Sequence, residues 1–314
     1  MFKRDTLNIL YYLIIGFITT LANGQSNYSI DAHIDLKNQT LIVSQTLTLK
    51  NPSNRVLKKI YLSDWANSYE GTKSPLVKHL ANQFNRSFYL SSKSKLGFTT
   101  IESLSNGKKQ LQWNRVKEQL DLIEVLLDQP IKVGEEINLY LNYKIKIPDD
   151  KFTGYGINSN NRIFFRDFFI SLNPFINNKW ALQSNLGLRD NSNINSNYLI
   201  NWSYPDEYNL VSNLDRIDST KIISDGYKST QWQAKNLSSP EFIFDKEDKF
   251  QTIYFNDGFT IVTDIIPKKN SKVKIESSLK HIYDFTNSLL SPLKHKKILI
   301  LKKDYAKNPL VGIT

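Results

Sequence analysis

The chain has 314 residues, 40% of them apolar, which is enough for the cores of one large or two ordinary domains and excludes a disordered protein. It has no cysteine, so disulfides, thiolate catalysis, Cys-held metals and a lipidated N-terminal Cys are excluded. The net charge of +11 arises from 41 Lys and Arg against 30 Asp and Glu; the basic residues are dispersed and no nucleic-acid-binding motif is present, so no nucleic acid partner is expected.

Lys3 and Arg4 precede an apolar stretch from about Leu7 to Ala22, and Leu21-Ala22-Asn23-Gly24-Gln25 supplies small residues of the kind signal peptidase cleaves beside. About 16 residues at roughly 1.5 Å each span about 24 Å as a helix, short of the roughly 30 Å hydrocarbon core. Residues 1–24 therefore read as a signal peptide that is cleaved on export, against the alternative of an uncleaved membrane anchor. The mature chain then begins near Gln25, is periplasmic or secreted, and keeps no stable membrane span. A large core makes the lack of disulfides compatible with a bacterial periplasm.

After the signal the pattern has period two. Ile30, Ala32, Ile34 and Leu36 alternate with polar residues, and beyond a Lys37-Asn38 turn Leu41, Val43, Leu47 and Leu49 share a face, which predicts an antiparallel hairpin. His33 lies on its polar face as a solvated or cross-strand residue. "NPSN" (Asn51 to Asn54) is a turn and "KIYL" opens another strand. Between Asp64 and Leu90 the alternation breaks, and Leu76, Leu80 and Phe84 follow a Ser-Pro start at helical spacing, predicting a helical insert with His79 off its apolar line.

Strands resume at Phe98 to Ile101 and Leu111 to Trp113. In "GEEINLYLNYKIKIP" the residues Ile137, Leu139, Leu141, Tyr143, Ile145 and Ile147 share one face of a long central strand that stops at Pro148. "RIFFRDFFISLNPFINNKW" is rich in Phe and Ile and reads as strand ending at Asn-Pro. An Asn/Ser-rich loop from Asp190 to Asn197 precedes "YLINWSYP", with further strands at Thr230 to Ala234 and Glu241 to Phe244.

From about residue 248 the pattern changes. "QTIYF" and "FTIVTDIIP" form a hairpin through Asn256-Asp257-Gly258. A helix follows with Leu279, Ile282, Tyr283 and Leu289 on its apolar face, stopped by Pro292. Ile298-Leu299-Ile300-Leu301 then reads as a strand buried on both faces. Strand, helix and strand within about 50 residues suggest the start of an α/β domain.

No H-E-x-x-H, G-x-S-x-G, Walker loop or G-x-G-x-x-G occurs, and no two histidines stand four apart. His281 lies off the helix's apolar face and His295 within "KHKK", both solvated. No pair of carboxylates is marked out as general acid and base. The five Trp residues read as core, with a glycan-binding face as the alternative.

The order of segments resembles the N-terminal part of the aminopeptidase N family of zinc metallopeptidases, in the form typical of Bacteroidetes. "YSIDAHIDLKNQTLIVSQTLTLKNPSNRVLKKIYL" is similar to the family's opening strands, and "LDQPIKVGEEINLYLNYKIKIP" to its L-x-x-P-L-x-x-G-E-x-I-x-L-x-x-x-Y-x-x-x-x-P stretch. "SPLVKHLANQFNRSFYL" and "FFISLNPFINNKWALQSN" resemble segments of the Bacteroidetes branch. "YLINWSYPDEYNLVSNL" and "STQWQAKNLSSPEFIF" look like the last strands of the β-domain, and "DGFTIVTD" like the entry to the catalytic one.

The resemblance implies a mainly β fold: a saddle-like antiparallel β-sandwich over residues 25–247, then an incomplete, thermolysin-like α/β domain over residues 248–314. It implies hydrolysis of N-terminal residues from peptides by a zinc held by two His and a Glu, all beyond position 314. The expectation is therefore a noncatalytic portion with no catalytic, cofactor-binding or metal residue of its own, zinc and peptide substrate belonging to a missing domain. The family's G-x-M-E-N has its counterpart in "NPLVGIT", with Gly312 but no Met-Glu-Asn. The alternative is an exported β-sandwich binding module or pseudo-peptidase.

Overall fold

In the first hairpin, strand Asn27–Asp35 pairs with Thr40–Lys50 in register from Asn27↔Thr48 to Asp35↔Thr40. Strict alternation sends Ile30, Ile34, Leu41, Leu47 and Leu49 inward, each 0% exposed. The molecule is a computed structural model that describes residues 26–187, 194–224, 226–266, 272–289 and 296–302. The predicted signal peptide, the first half of the Asp190 to Asn197 loop, Pro292, His295 and "NPLVGIT" lie outside those residues.

Around the hairpin grows an eight-stranded sheet. Its order is Asp215–Arg216, Tyr227–Leu237, Ser196–Pro205, Asn27–Asp35, Thr40–Lys50, Glu136–Lys146 and Phe98–Ser105, with Lys221–Ser224 also on Tyr227–Leu237. One pairing departs from the antiparallel expectation: Asn27–Asp35 runs parallel to Ser196–Pro205 from Asn27↔Asn197 to His33↔Ser203. Between these two strands the chain passes through both layers before Ser196–Pro205 docks at the free edge of Asn27–Asp35, and Asn209–Ser212 and Glu241–Asp245 of the second layer follow later.

The second layer consists of two four-stranded sheets, Ser171–Leu172 with Leu57–Ser63, Gln119–Ile131 and Gln112–Val116, and Asn209–Ser212 with Glu241–Asp245, Ile163–Arg166 and Gly156–Ile157. Their inner side chains, Ile60, Leu62, Ile123, Val125, Phe165, Phe242 and Phe244 among them, join the inner face of the large sheet in one core. This is a β-sandwich. At its centre Trp202 is 0% exposed and stacks on Phe165, ring centroids 5.7 Å apart and 4° from parallel.

Several local expectations are corrected. Strand Gln119–Ile131, at 13 residues the longest among the described residues, is hidden in the sequence because adjacent Leu122 and Ile123 are both buried and Pro130 sits near its end, masking period two. "RIFFRDFFISLNPFINNKW" is not one strand. Asp167 at φ 47 ends Ile163–Arg166, and a hairpin of Phe175–Ile176 with Lys179–Trp180 turns through Asn177 and Asn178 at φ 51 and 61.

The insert holds a 3-10 helix, Trp65–Tyr69, and a helix, Pro75–Asn82, whose Ser74 side chain accepts from the Val77 N–H. The predicted Leu76/Leu80/Phe84 line fails at its last member. The helix ends in paired bonds from Asn85 N to Leu80 O (2.9 Å) and Phe84 N to Ala81 O (3.0 Å), placing Phe84 at φ 61 and 89% exposed. A left-handed residue there is ordinarily glycine, and phenylalanine costs on the order of 1 kcal/mol more.

In the last segment, Gln251–Tyr254 and Thr260–Thr263 form the predicted hairpin, with Gly258 at φ +81, and helix Lys272–Leu289 crosses to Lys297–Ile300, which runs parallel to Thr260–Thr263. The helix half-buries Ile275, Leu279 and Tyr283, whereas Ile282 and Leu289 are 58% and 66% exposed, so the stripe is narrower and rotated from the expected one. Strand Lys297–Ile300 is half-buried because it forms a sheet edge.

Candidate functional site

Two places gather polar groups that regular sheet packing does not require. The first is a recess of about 80 Å³ lined by Trp65, Tyr69, Thr153, Tyr155, Arg166 and Asn185 among others. The 3-10 helix brings Trp65 and Tyr69 to it. Tyr69 Oη and Thr153 Oγ1 are 2.6 Å apart, and the Tyr69 ring stacks on Tyr155 at 5.2 Å. Burial pushes the Tyr69 phenol up to about 12 and that of Tyr155 well above its usual value, so both remain protonated donors at neutral pH. Arg166 enters from the adjoining strand, its Nε donating to Glu241 at 2.7 Å.

A buried network lies behind the recess. Asp64 Oδ1 accepts from Thr99 Oγ1 (2.7 Å) and Oδ2 from the Arg115 guanidinium (2.8 Å). Asp121 Oδ2 accepts from the Asn185 N–H (2.6 Å), and Asn185 Nδ2 donates to Ser68 Oγ (2.8 Å). Desolvation raises the pKa of both carboxyls, opposed at Asp64 chiefly by Arg115 and at Asp121 chiefly by the Asn185 amide. The network ties the insert and the segment carrying Asn185 to the sheet. Asp64 and the Asp121 Oδ2 are held by donors from the fold, while Tyr69, Thr153, Arg166, Asp167 and Asn185 line the recess for a small polar group.

The second place is the junction between sandwich and final segment. Arg162 lies between Asp245 (3.3 Å) and Asp264 (2.9 Å), with its guanidinium 5.1 Å from the centre of the Phe250 ring. Leu299 and Leu301 pack with Phe164, Ile243 and Phe250, while Ile298 and Ile300 pack on the other side with the helix cluster. Lys297 Nζ donates to Leu214 O at 2.6 Å, and burial lowers its pKa. Arg162→Met would leave two largely buried carboxylates without their shared cation. It should cost about 2 kcal/mol and make residues 248–302 the first region cut in limited proteolysis; wild-type resistance there would show that the apolar cluster alone holds the junction.

His33 is cross-strand, with Nδ1 3.0 Å from Ser203 Oγ and the ring stacked on Tyr227. His79 is half-buried, not fully exposed, beside Gln83, and His281 is exposed. Trp202 and Trp232 are buried, Trp113 and Trp180 pack on the core, and Trp65 lines the recess, so the tryptophans form no common face. Among the described residues no group of three or more His, Asp or Glu is placed to hold a metal ion. The Asp64, Arg115 and Asp121 network leaves one trace in the sequence, Asp121 within the apolar "QLDLIEVLL".

No protein-family model and no curated protein matches the sequence. Among solved structures the fold is similar to an M1 zinc metallopeptidase from Deinococcus radiodurans, at TM-score 0.51 and 12% identity, over 89% of this chain and 55% of that one. A Glu-to-Ala mutant from the same organism, bound to a Tyr-Ser-Ala substrate, gives TM-score 0.51 and 12% identity over 89% and 56%. The likeness is one of fold. The chain spans little more than half the length of the structures it resembles.

Proposed function

We propose that this chain is the N-terminal, noncatalytic portion of an exported metallopeptidase resembling aminopeptidase N, of the Bacteroidetes type. In this reading a signal occupies residues 1–24, the β-domain residues 25–247, and the opening of the peptidase domain residues 248–314, in a periplasmic or secreted protein. The β-domain shapes one wall of a peptide-binding cleft. Zinc and the hydrolytic groups belong to a further domain, as does contact with the scissile bond.

The observation that carries the reading is the strand–helix–strand unit of residues 251–300, built onto the β-sandwich through Arg162 and the Leu299/Leu301 cluster. A free-standing β-sandwich has no need of such a unit. The fold likeness over 89% of the chain supports the same reading. Tested alone, the chain should bind no stoichiometric zinc and release no chromophore from aminoacyl-anilides. Equimolar zinc together with turnover would overturn the assignment of catalysis to another domain.

A further inference from the structure

Between Glu70 and Glu102 the chain has no acidic residue, while Lys73, Lys78, Arg86, Lys93 and Lys95 are all exposed. Among the described residues only Lys95 of these five is ion-paired, to Asp149 at 3.0 Å. The same segment presents Phe84, Tyr89 and Leu90, which are 89%, 53% and 85% exposed. Their display is built in. Gly97 N donates to Tyr69 O at 3.2 Å and closes the neck of the insert, while Phe88, 3% exposed, stacks on Phe152 at 3.9 Å and anchors the loop. Phe84 occupies the left-handed position after the helix where glycine is the usual residue, so backbone strain is accepted at an apolar side chain that faces solvent.

We propose that this tip docks on an anionic lipid surface. Phe84, Tyr89 and Leu90 enter the boundary between headgroups and acyl chains, and Lys73, Lys78, Arg86 and Lys93 face the anionic headgroups. A nucleic acid or an acidic protein surface would engage the cations but gives no reason for two large apolar side chains to stand almost free of the fold. A bilayer interface uses both features.

The absence of cysteine allows a single label at the tip. An environment-sensitive fluorophore on Leu90→Cys should shift to the blue when phosphatidylcholine vesicles containing phosphatidylglycerol are added, and not with pure phosphatidylcholine. The same label on Lys221→Cys, at the opposite edge of the large sheet from the insert's exit strand Phe98–Ser105, should not respond. With labelled Leu90→Cys as parent, Lys78→Glu/Arg86→Glu and Phe84→Ser/Tyr89→Ser should each weaken the response at least about tenfold, with unchanged melting temperatures. No shift at position 90, an equal shift at position 221, or an equal response to the neutral vesicles would overturn the proposal. A response lost on charge reversal but untouched by the serine pair would also overturn it and make the tip a site for an acidic polymer.

Discussion

Arg115→Met should destabilise the protein by about 3–5 kcal/mol near neutral pH, and by much less in acid. Asp64 is buried, with 1% of its side chain exposed, and its strongest partner is the Arg115 guanidinium at 2.8 Å, itself 20% exposed. Removing one member of such a pair strands the other as an uncompensated charge. The sign with pH follows from burial, which raises the folded-state pKa of Asp64 above its unfolded value even with Arg115 present. Its proton is then held more tightly by the folded state, so the stabilisation from protonation is complete below the ordinary carboxyl value of about 3.9 and is lost as pH rises through the folded-state pKa.

Without Arg115 the folded value rises further and the destabilisation grows with pH across that window. What remains in acid is the loss of the Arg115 bonds to the Leu120 and Thr99 carbonyls. Urea unfolding at neutral and acid pH measures this directly, and Asp64→Asn/Arg115→Met should recover part of the neutral-pH loss. A pH-independent loss would mean that Arg115 acts by packing and neutral hydrogen bonds.

Gly156→Ala should cost about 3 kcal/mol or more. Gly156 has φ +113, and a Cβ built there would stand 2.0 Å from the Pro148 carbonyl oxygen. That oxygen accepts from the Ile157 N–H at 2.9 Å, the bond that returns the chain after Pro148 has ended the long strand. Relief of the clash breaks the bond and shifts the short strand Gly156–Ile157 off Ile163–Arg166. Gly71→Ala is the control. Nothing lies within 4 Å of its added Cβ, so its melting temperature should stay close to wild type; equal losses at both glycines would refute the steric argument.

Alternation is a local property of the chain, and where it was clean the residues alone determined which side chains go inside. Ile30 to Leu49 and Leu139 to Ile147 face the core as their spacing requires, and the Asp257-Gly258 hairpin and the helix after it follow equally local rules. The resemblance drawn from those segments implies a β-sandwich, and two layers around one core form it. The polar network at Asp64 and Asp121 is not legible there, because it joins residues far apart in sequence.

Tertiary structure decided the rest. The parallel pairing of Asn27–Asp35 with Ser196–Pro205 joins residues 170 apart, and only the path of the whole chain through the second layer sets its direction. The same packing chose which face of helix Lys272–Leu289 is covered, turning Ile282 outward while Ile275 went in. It also brought Arg115 to Asp64 across 51 positions. Periodicity tells a side chain which way to point, but the burial of a charge is settled by what the fold places opposite it.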